Sequence, residues 1–241
     1  MWKNYEVHLK FTGKVMGGIP KDEKIIQSWL EAGRMKDSKY ERQVEKEVDG
    51  RTIEEIKKEC VENSMTEEEA KEDKLWVGFL ADNVGIYARE HQIKAHIKDC
   101  ANQIKDFKEL SKIKGLGKNG KVSAFKSKVA NKVYVEDEIN YFHRDGEPVT
   151  GVDGCQEHPI RIMTLQGERS ALKRNDFIVN PELNFTLKVL DDGVIGIEAL
   201  QMIFDYGCIH GMFSERAHGY GKYRFTIRTR EHVGEVFKEK G

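Results

Sequence analysis

Glycine, histidine and arginine gather near the C-terminal end of the chain. The segment runs Gly207-Cys208-Ile209-His210-Gly211 and then Ala217-His218-Gly219-Tyr220-Gly221-Lys222-Tyr223-Arg224-Phe225. Glycine lets the backbone take positive φ and lets a ligand come close to bare peptide N–H groups. Histidine, arginine and tyrosine around it supply cations and stacking faces for a phosphate–base polymer. The same residues also meet the steric needs of an ordinary hairpin turn, because glycine-rich turns are common. His210 and His218 stand beside this segment and are the candidates to reach a ribose 2′-OH as general bases, a role that geometry decides.

Three basic segments could meet in space. One is the lysine side of a helix, Lys94, Lys98, Lys105 and Lys108, continuing into a glycine-rich stretch over Lys112–Lys121. Another is Arg161 to Arg174, which contains Gln166-Gly167-Glu168-Arg169-Ser170-Ala171-Leu172-Lys173-Arg174. The third comprises Arg216, His218, Lys222, Arg224, Arg228 and Arg230. Lysines on a helix are ordinarily just solvated. Two of the segments, however, put glycine beside arginine or lysine in a turn, where amides and guanidinium groups hold phosphates together. Tyr87, Tyr134, Tyr220 and Tyr223 lie in or beside these stretches, as bases' stacking partners or as sheet packing. The candidate nucleic-acid contacts are Lys94, Lys98, Arg169, Lys173, Arg174, Arg216, His218, Gly219, Tyr220, Gly221 and Lys222.

Other chemistries find little support. The formal net charge of the 241 residues is -1, so whole-chain charge argues neither for a polyanion nor against it. Its distribution is uneven, with acids in excess over Met35–Lys74 and bases in excess over Gly85–Val133. Glu136-Asp137-Glu138 and Asp191-Asp192 are weak metal candidates. Adjacent acids on a strand face opposite sides, and Asp191-Asp192-Gly193 is a turn signal. His91 and His96, five residues apart, do not share one helical face as a metal pair would. Cys60, Cys100, Cys155 and Cys208 form no C-x-x-C pair. Gly115-x-Gly117-x-x-Gly120 has dinucleotide spacing but follows a helix, and Walker, G-x-S-x-G and H-E-x-x-H patterns are absent. No catalytic residue, metal or cofactor is therefore expected. The chain shows no signal peptide and no apolar run of membrane-spanning length, so the expectation is a cytoplasmic protein without a membrane partner.

The elements that must position these residues follow from periodicity. Tyr5–Thr12 alternates as a half-buried strand. A short helix is expected over Asp22–Ala32, stopped by Gly33. Residues 34–74 read as a charged helical insertion with capping boxes at Thr52-x-x-Glu55 and Thr66-x-x-Glu69. Core-like sequence returns at Leu75–Leu80 and Gly85–Ala88. Ile93, Ile97, Cys100, Ile104 and Phe107 then step along one helical face, which makes Cys100 a buried thiol. Strands are expected near Lys132–Glu136, Ile160–Thr164 and Asn184–Leu190, a helix over Ile197–Tyr206 ending at Gly207, and a last strand over Lys222–Arg228. Helices gathered on one face of a mainly antiparallel sheet, an α+β fold, is the economical solution. With four prolines and no linker-like stretch, 1–241 reads as one elaborated domain.

Three of these segments resemble the RAMP superfamily, the CRISPR-associated RNA-binding proteins. They are the strand Val7–Phe11 leading to Gly13 and Gly17-Gly18, the segment Gly85-Ile86-Tyr87-Ala88-Arg89-Glu90-His91-Gln92-Ile93-Lys94-Ala95-His96-Ile97, and Gly207–Gly221 leading into Lys222–Ile227. Ala88-Arg89-Glu90-His91 stands where that family has aliphatic-Pro-Gly-Ser, and the helices of 34–74 have no counterpart there. The resemblance implies a ferredoxin-like (RRM-like) core that grasps RNA, with Lys94 as the helix lysine and Gly219, Tyr220 and Gly221 as the loop. A stand-alone or phage-encoded relative fits as well as a complex subunit.

The leading expectation is non-catalytic binding of RNA or single-stranded DNA through a basic groove. One rival is a protein–protein interaction, assembly or self-association role carried by the acidic 34–74 helices, as in an inhibitor of a host complex. The other is a metal-independent endoribonuclease using His210 or His218.

Overall fold

The structure, a computed structural model, describes residues 2–21, 74–113, 116, 122–164 and 167–230. The expected Asp22–Ala32 helix, nearly all of the 34–74 insertion with Cys60, and most of the Lys112–Lys121 stretch lie outside the described residues. Strands β1 (Trp2–Phe11), β2 (Lys14–Met16) and β3 (Ile19–Pro20) are followed by β4 (Lys74–Gly78), β5 (Leu80–Ala81) and β6 (Ile86–Arg89). Helices α1 (Glu90–Ile104), α2 (Lys108–Lys112) and α3 (Phe125–Lys132) come next. Then come β7 (Val133–Val135), β8 (Ile139–Arg144), β9 (Glu147–Pro148), β10 (Gly154–Thr164), β11 (Gly167–Val179) and β12 (Glu182–Leu190). Helix α4 (Ile197–His210), a 3-10 turn at Arg216–His218 and β13 (Tyr223–Arg230) complete the described chain.

The main sheet has the order β13-β1-β12-β8-β6-β5, with β7 also pairing with β12 and β9 with β8. β1 lies antiparallel between β12 and β13, so that Val7 faces Phe185 on one side and Ile227 on the other. β1, then α1, then β7–β8, β12, α4 and β13 occur in the order of a β-α-β-β-α-β unit. In space, its fourth, first, third and second strands stand side by side. The fold is α+β of the ferredoxin-like type.

Strict alternation sets the two faces of this sheet. Tyr5, Val7, Leu9 and Phe11 of β1 are buried, as are Leu183, Phe185, Leu187 and Val189 of β12. Against them pack Ile93, Ile97, Cys100 and Ile104 of α1 and Leu200, Ile203 and Phe204 of α4. Each fully buried side chain of this size contributes about 1.5–3 kcal/mol. The start of α1 is fixed by the Arg89 N–H, which donates to Gln92 Oε1 at 2.9 Å. A smaller sheet, β10-β11-β4-β3 with β2 on β11, combines antiparallel pairs with a parallel β11–β4 pair. Among the described residues, no helix is long and apolar enough to cross a membrane.

Several expected boundaries move. Helix α4 continues past Tyr206 and Gly207 to His210, so His210 is a helical residue and not a loop one. Gly207 is inside the helix because Tyr223 occupies its side-chain space: an added β-carbon would lie 2.0 Å from Tyr223 Oη. Gly211, at φ +78°, ends the helix. The lysine-bearing helix breaks after Ile104, which leaves Lys108 on the separate α2. The Arg161–Arg174 segment is no simple turn; it belongs to a long hairpin in which Arg161 pairs with Ser170 and Glu157 with Arg174.

Candidate functional site

The C-terminal glycine segment is docked on the protein's own backbone at one end and open at the other. Gly221, at φ +72°, is buried, and an added β-carbon there would lie 2.0 Å from the Met212 carbonyl oxygen. Its N–H donates to the Lys14 carbonyl at 2.9 Å, and its carbonyl accepts from the Met212 N–H at 2.9 Å. Gly219, at φ +82°, is exposed, and only the end of Lys222 approaches it. Between them, the Tyr220 hydroxyl donates to Gln156 Oε1 at 3.1 Å. The His218 ring stacks on His158, with centroids 5.2 Å apart and planes 9° from parallel.

Most of the expected cations already have partners. Lys173 donates to Glu215, which fastens β11 to the 3-10 turn, and His218 Nδ1 lies 3.0 Å from the same carboxylate. The Lys173 hydrogen bond is the chief reason the Glu215 carboxyl ionises more readily than usual. Arg216 Nη1 donates to Asp99 Oδ2 of α1 at 2.7 Å, and His210 Nε2 is 2.9 Å from that oxygen. Burial works against ionisation of Asp99, but Arg216 and His210 outweigh it and hold the carboxyl below its ordinary range. The Arg174 guanidinium lies over the Trp76 ring at 4.0 Å. Arg169 stands on β11 opposite Ile162.

Helix α1 therefore reaches the glycine segment through Asp99. Lys94, five residues earlier and about 140° round the helix, faces elsewhere: its ammonium sits 4.0 Å over the Tyr134 ring. Burial, then repulsion from Lys98, lowers the Lys94 pKa. Lys98 is half-buried. Two of the tyrosines are not available for stacking, since Tyr87 and Tyr223 are core residues. The Tyr223 hydroxyl lies 2.8 Å from Nε2 of His96, whose imidazole is driven by burial to a pKa of about 3.

The polar face of the main sheet presents a second constellation. Lys222, Arg224, Thr226, Arg228 and Arg230 all point away from the helices, because Tyr223, Phe225 and Ile227 point towards them. Lys222, Arg224 and Arg228 are exposed and have no ion-pair partner among the described residues. Cross-strand register extends this column into rows. Arg224 faces Lys10, which faces Glu182; Thr226 faces His8, which faces Asn184; Arg228 faces Glu6, which faces Thr186. Lys10 donates to Glu182 at 2.7 Å, and Lys188 is 2.7 Å from Glu136.

Two concavities lie along this face. One, of about 650 Å³, is lined by Lys10, Thr12, Arg144, Asn180, Glu182 and Arg224. The other, of about 460 Å³, is lined by Glu6, His8, Asp137, Asn184, Thr226 and Arg228. Across the sheet from Arg230, along the row Arg230–Asn4–Lys188–Tyr134, the exposed rings of Trp2 and Tyr134 meet edge to face at 5.7 Å. Of these residues the sequence singled out Arg224, Arg228 and Arg230 as part of a basic segment, Tyr134 as a stacking candidate and Asp137 as a weak metal candidate. Glu6, His8 and Asn184 come together only through strand pairing, which local sequence does not display.

No family model matches the chain, and neither does any curated protein. Solved structures do. The protein is similar to a chain in the structure of the Type III-B Cmr-beta bound to cognate target RNA, at 10% identity and a TM-score of 0.43. The match covers 95% of this protein but spans 60% of the length of that chain. It is also similar to a chain of a Type IV-B CRISPR complex, at 8% identity and a TM-score of 0.38, covering 98% of this protein and 95% of that chain.

Proposed function

We propose that this protein binds single-stranded nucleic acid, RNA first among its ligands, along the polar face of its main sheet and without cleaving it. The observation that carries this reading is the column Lys222, Arg224, Arg228 and Arg230 on one face of the edge strand β13. Side chains on one face of a strand repeat every two residues, about 6.8 Å, so the column offers cations at that spacing to an extended chain, with one double gap where Thr226 separates Arg224 from Arg228. Phosphate contacts of this kind fix position without reading sequence. The exposed Gly219 backbone opens one end of the track, and the Trp2–Tyr134 pair gives the other a stacking surface. Lys94, beneath Tyr134, supports that surface and does not touch phosphate. Lys173, Arg216, His218, Tyr220 and Gly221 shape the loop; Lys98 shares the Lys94 side of α1, Arg174 lies over Trp76, and Arg169 belongs to the basic hairpin. The three segments resembling RAMP proteins agree with this reading.

The test is a titration of fluorescently labelled single-stranded RNA and DNA at two salt concentrations. Micromolar or tighter binding that weakens steeply with salt supports the proposal, since neutralised phosphates release counterions. Absence of binding at low salt ends it.

A further inference from the structure

We infer that the concavity of about 460 Å³ on the sheet face is a guanine-reading subsite, an inference that rests on the single-strand-binding reading above. Its volume is in the range of small-ligand sites, and it lies in line with the cation column, because Arg228 belongs to both. Its polar lining divides by chemistry. Glu6 and Asp137 accept, Arg228 donates, and Asn184 and His8 can do either.

The placement of acceptor beside donor matters most. Glu6 on β1 and Arg228 on β13 are a direct cross-strand pair, and such pairs hold their β-carbons roughly 4.5–5.5 Å apart. They nevertheless form no ion pair with each other; the Glu6 carboxylate instead lies 3.6 Å from Arg230 Nε. Both of those groups are more than half exposed, and an exposed pair of this kind is easily exchanged for another partner. The site thus presents a carboxylate and a guanidinium side by side, each with hydrogen-bonding capacity left for a ligand.

Guanine is the base whose pairing edge matches that arrangement. It carries two adjacent donors, N1–H and N2–H₂, which one carboxylate accepts together as it accepts a two-pronged arginine. Next to them is the O6 acceptor, for which a guanidinium is the favoured partner. Adenine, cytosine and uracil each lack the adjacent donor pair. Thr226 and Asn184, in the neighbouring row, flank the base on either side of His8.

The experiment compares three labelled RNA strands by anisotropy at low salt: uridine only, the same strand with one central guanosine, and the same strand with inosine in its place. Guanosine should tighten binding at least about five-fold, the lower end of what a good two-pronged contact discriminates. Inosine, which lacks the N2 amino group, should lose most of that gain. Glu6→Gln should abolish the guanosine preference, read as the ratio of guanosine-strand to uridine-strand affinity, while a thermal midpoint equal to the parent's reports that the variant is folded. Equal affinity for the uridine and guanosine strands overturns the guanine subsite and leaves the binding surface standing. Failure of every strand to bind overturns both.

Discussion

The Tyr223 hydroxyl fills the space that a side chain on Gly207 would need, and it hydrogen-bonds His96 of α1 from that position. One phenol thereby ties together β13, α4 and α1. Glycine inside a helix normally costs about 1 kcal/mol relative to alanine, so Gly207→Ala would ordinarily stabilise. Here the sign reverses. The new methyl group would meet Tyr223 Oη at 2.0 Å and His96 Nε2 at 2.9 Å, and overpacking of this kind costs about 1–3 kcal/mol. Urea denaturation of Gly207→Ala should show a lower midpoint with an unchanged slope; a midpoint at or above that of the parent protein would refute the contact.

His96 gives the fold a pH dependence whose sign is fixed by its burial. Its pKa falls from 6.5 to about 3, so the native state holds it neutral while the unfolded chain takes up a proton. Between about pH 6.5 and pH 3 the unfolded state binds more protons, and stability falls as pH falls, with a slope approaching about 1.4 kcal/mol per pH unit from this one group. His96→Gln keeps a hydrogen-bonding group towards Tyr223 but cannot titrate. Its stability should change less than that of the parent between pH 6.5 and pH 4, as measured by denaturant unfolding across that range.

Much of this core was legible in the sequence, and the reasons are local. The four-three-four spacing of Ile93, Ile97, Cys100 and Ile104 is buried in α1 as expected, but Phe107, the expected fifth member, lies past the end of that helix and is exposed; the alternation of β1, β12 and β13 survives. Glycine misled at position 207, because a glycine needed for a distant phenol has the same appearance as one that stops a helix. The hairpin of β10 and β11 was half seen. Its strands carry charged residues such as Arg161, Lys173 and Arg174, so the alternation that marked β1 is lost there. The pairing of the expected loop cations was not legible, because the acids that hold Arg216 and Lys173, Asp99 and Glu215, are distant in sequence or carry no motif. The sheet-face rows were hidden for the same reason. Register, and not any motif, puts His8 beside Asn184 and Thr226.

Asp99 links α1 to the glycine segment electrostatically. Its carboxyl is depressed in the folded state, so its contribution is fully present above the unfolded value near pH 4 and is lost as pH falls through the lower folded value. Asp99→Asn should make stability less sensitive to acid below about pH 4, while the His96 window above it persists. The same substitution leaves Arg216 without its anion, and limited proteolysis between Gly211 and Gly221 should become faster at neutral pH. An unchanged cleavage rate would show that this contact does not hold the segment in place.

The most direct measurement is the salt dependence of single-strand binding by the Arg224→Ala/Arg228→Ala double variant. Both side chains are exposed on the sheet face and make no ion pair among the described residues, so the fold should tolerate their loss. Each phosphate contact on a single strand contributes about 0.7 to the log–log salt slope. Removal of two should therefore reduce the slope by about 1.4 and weaken binding at low salt, with the thermal midpoint unchanged. A double variant that binds with the parent's affinity and slope would contradict a nucleic-acid track along β13.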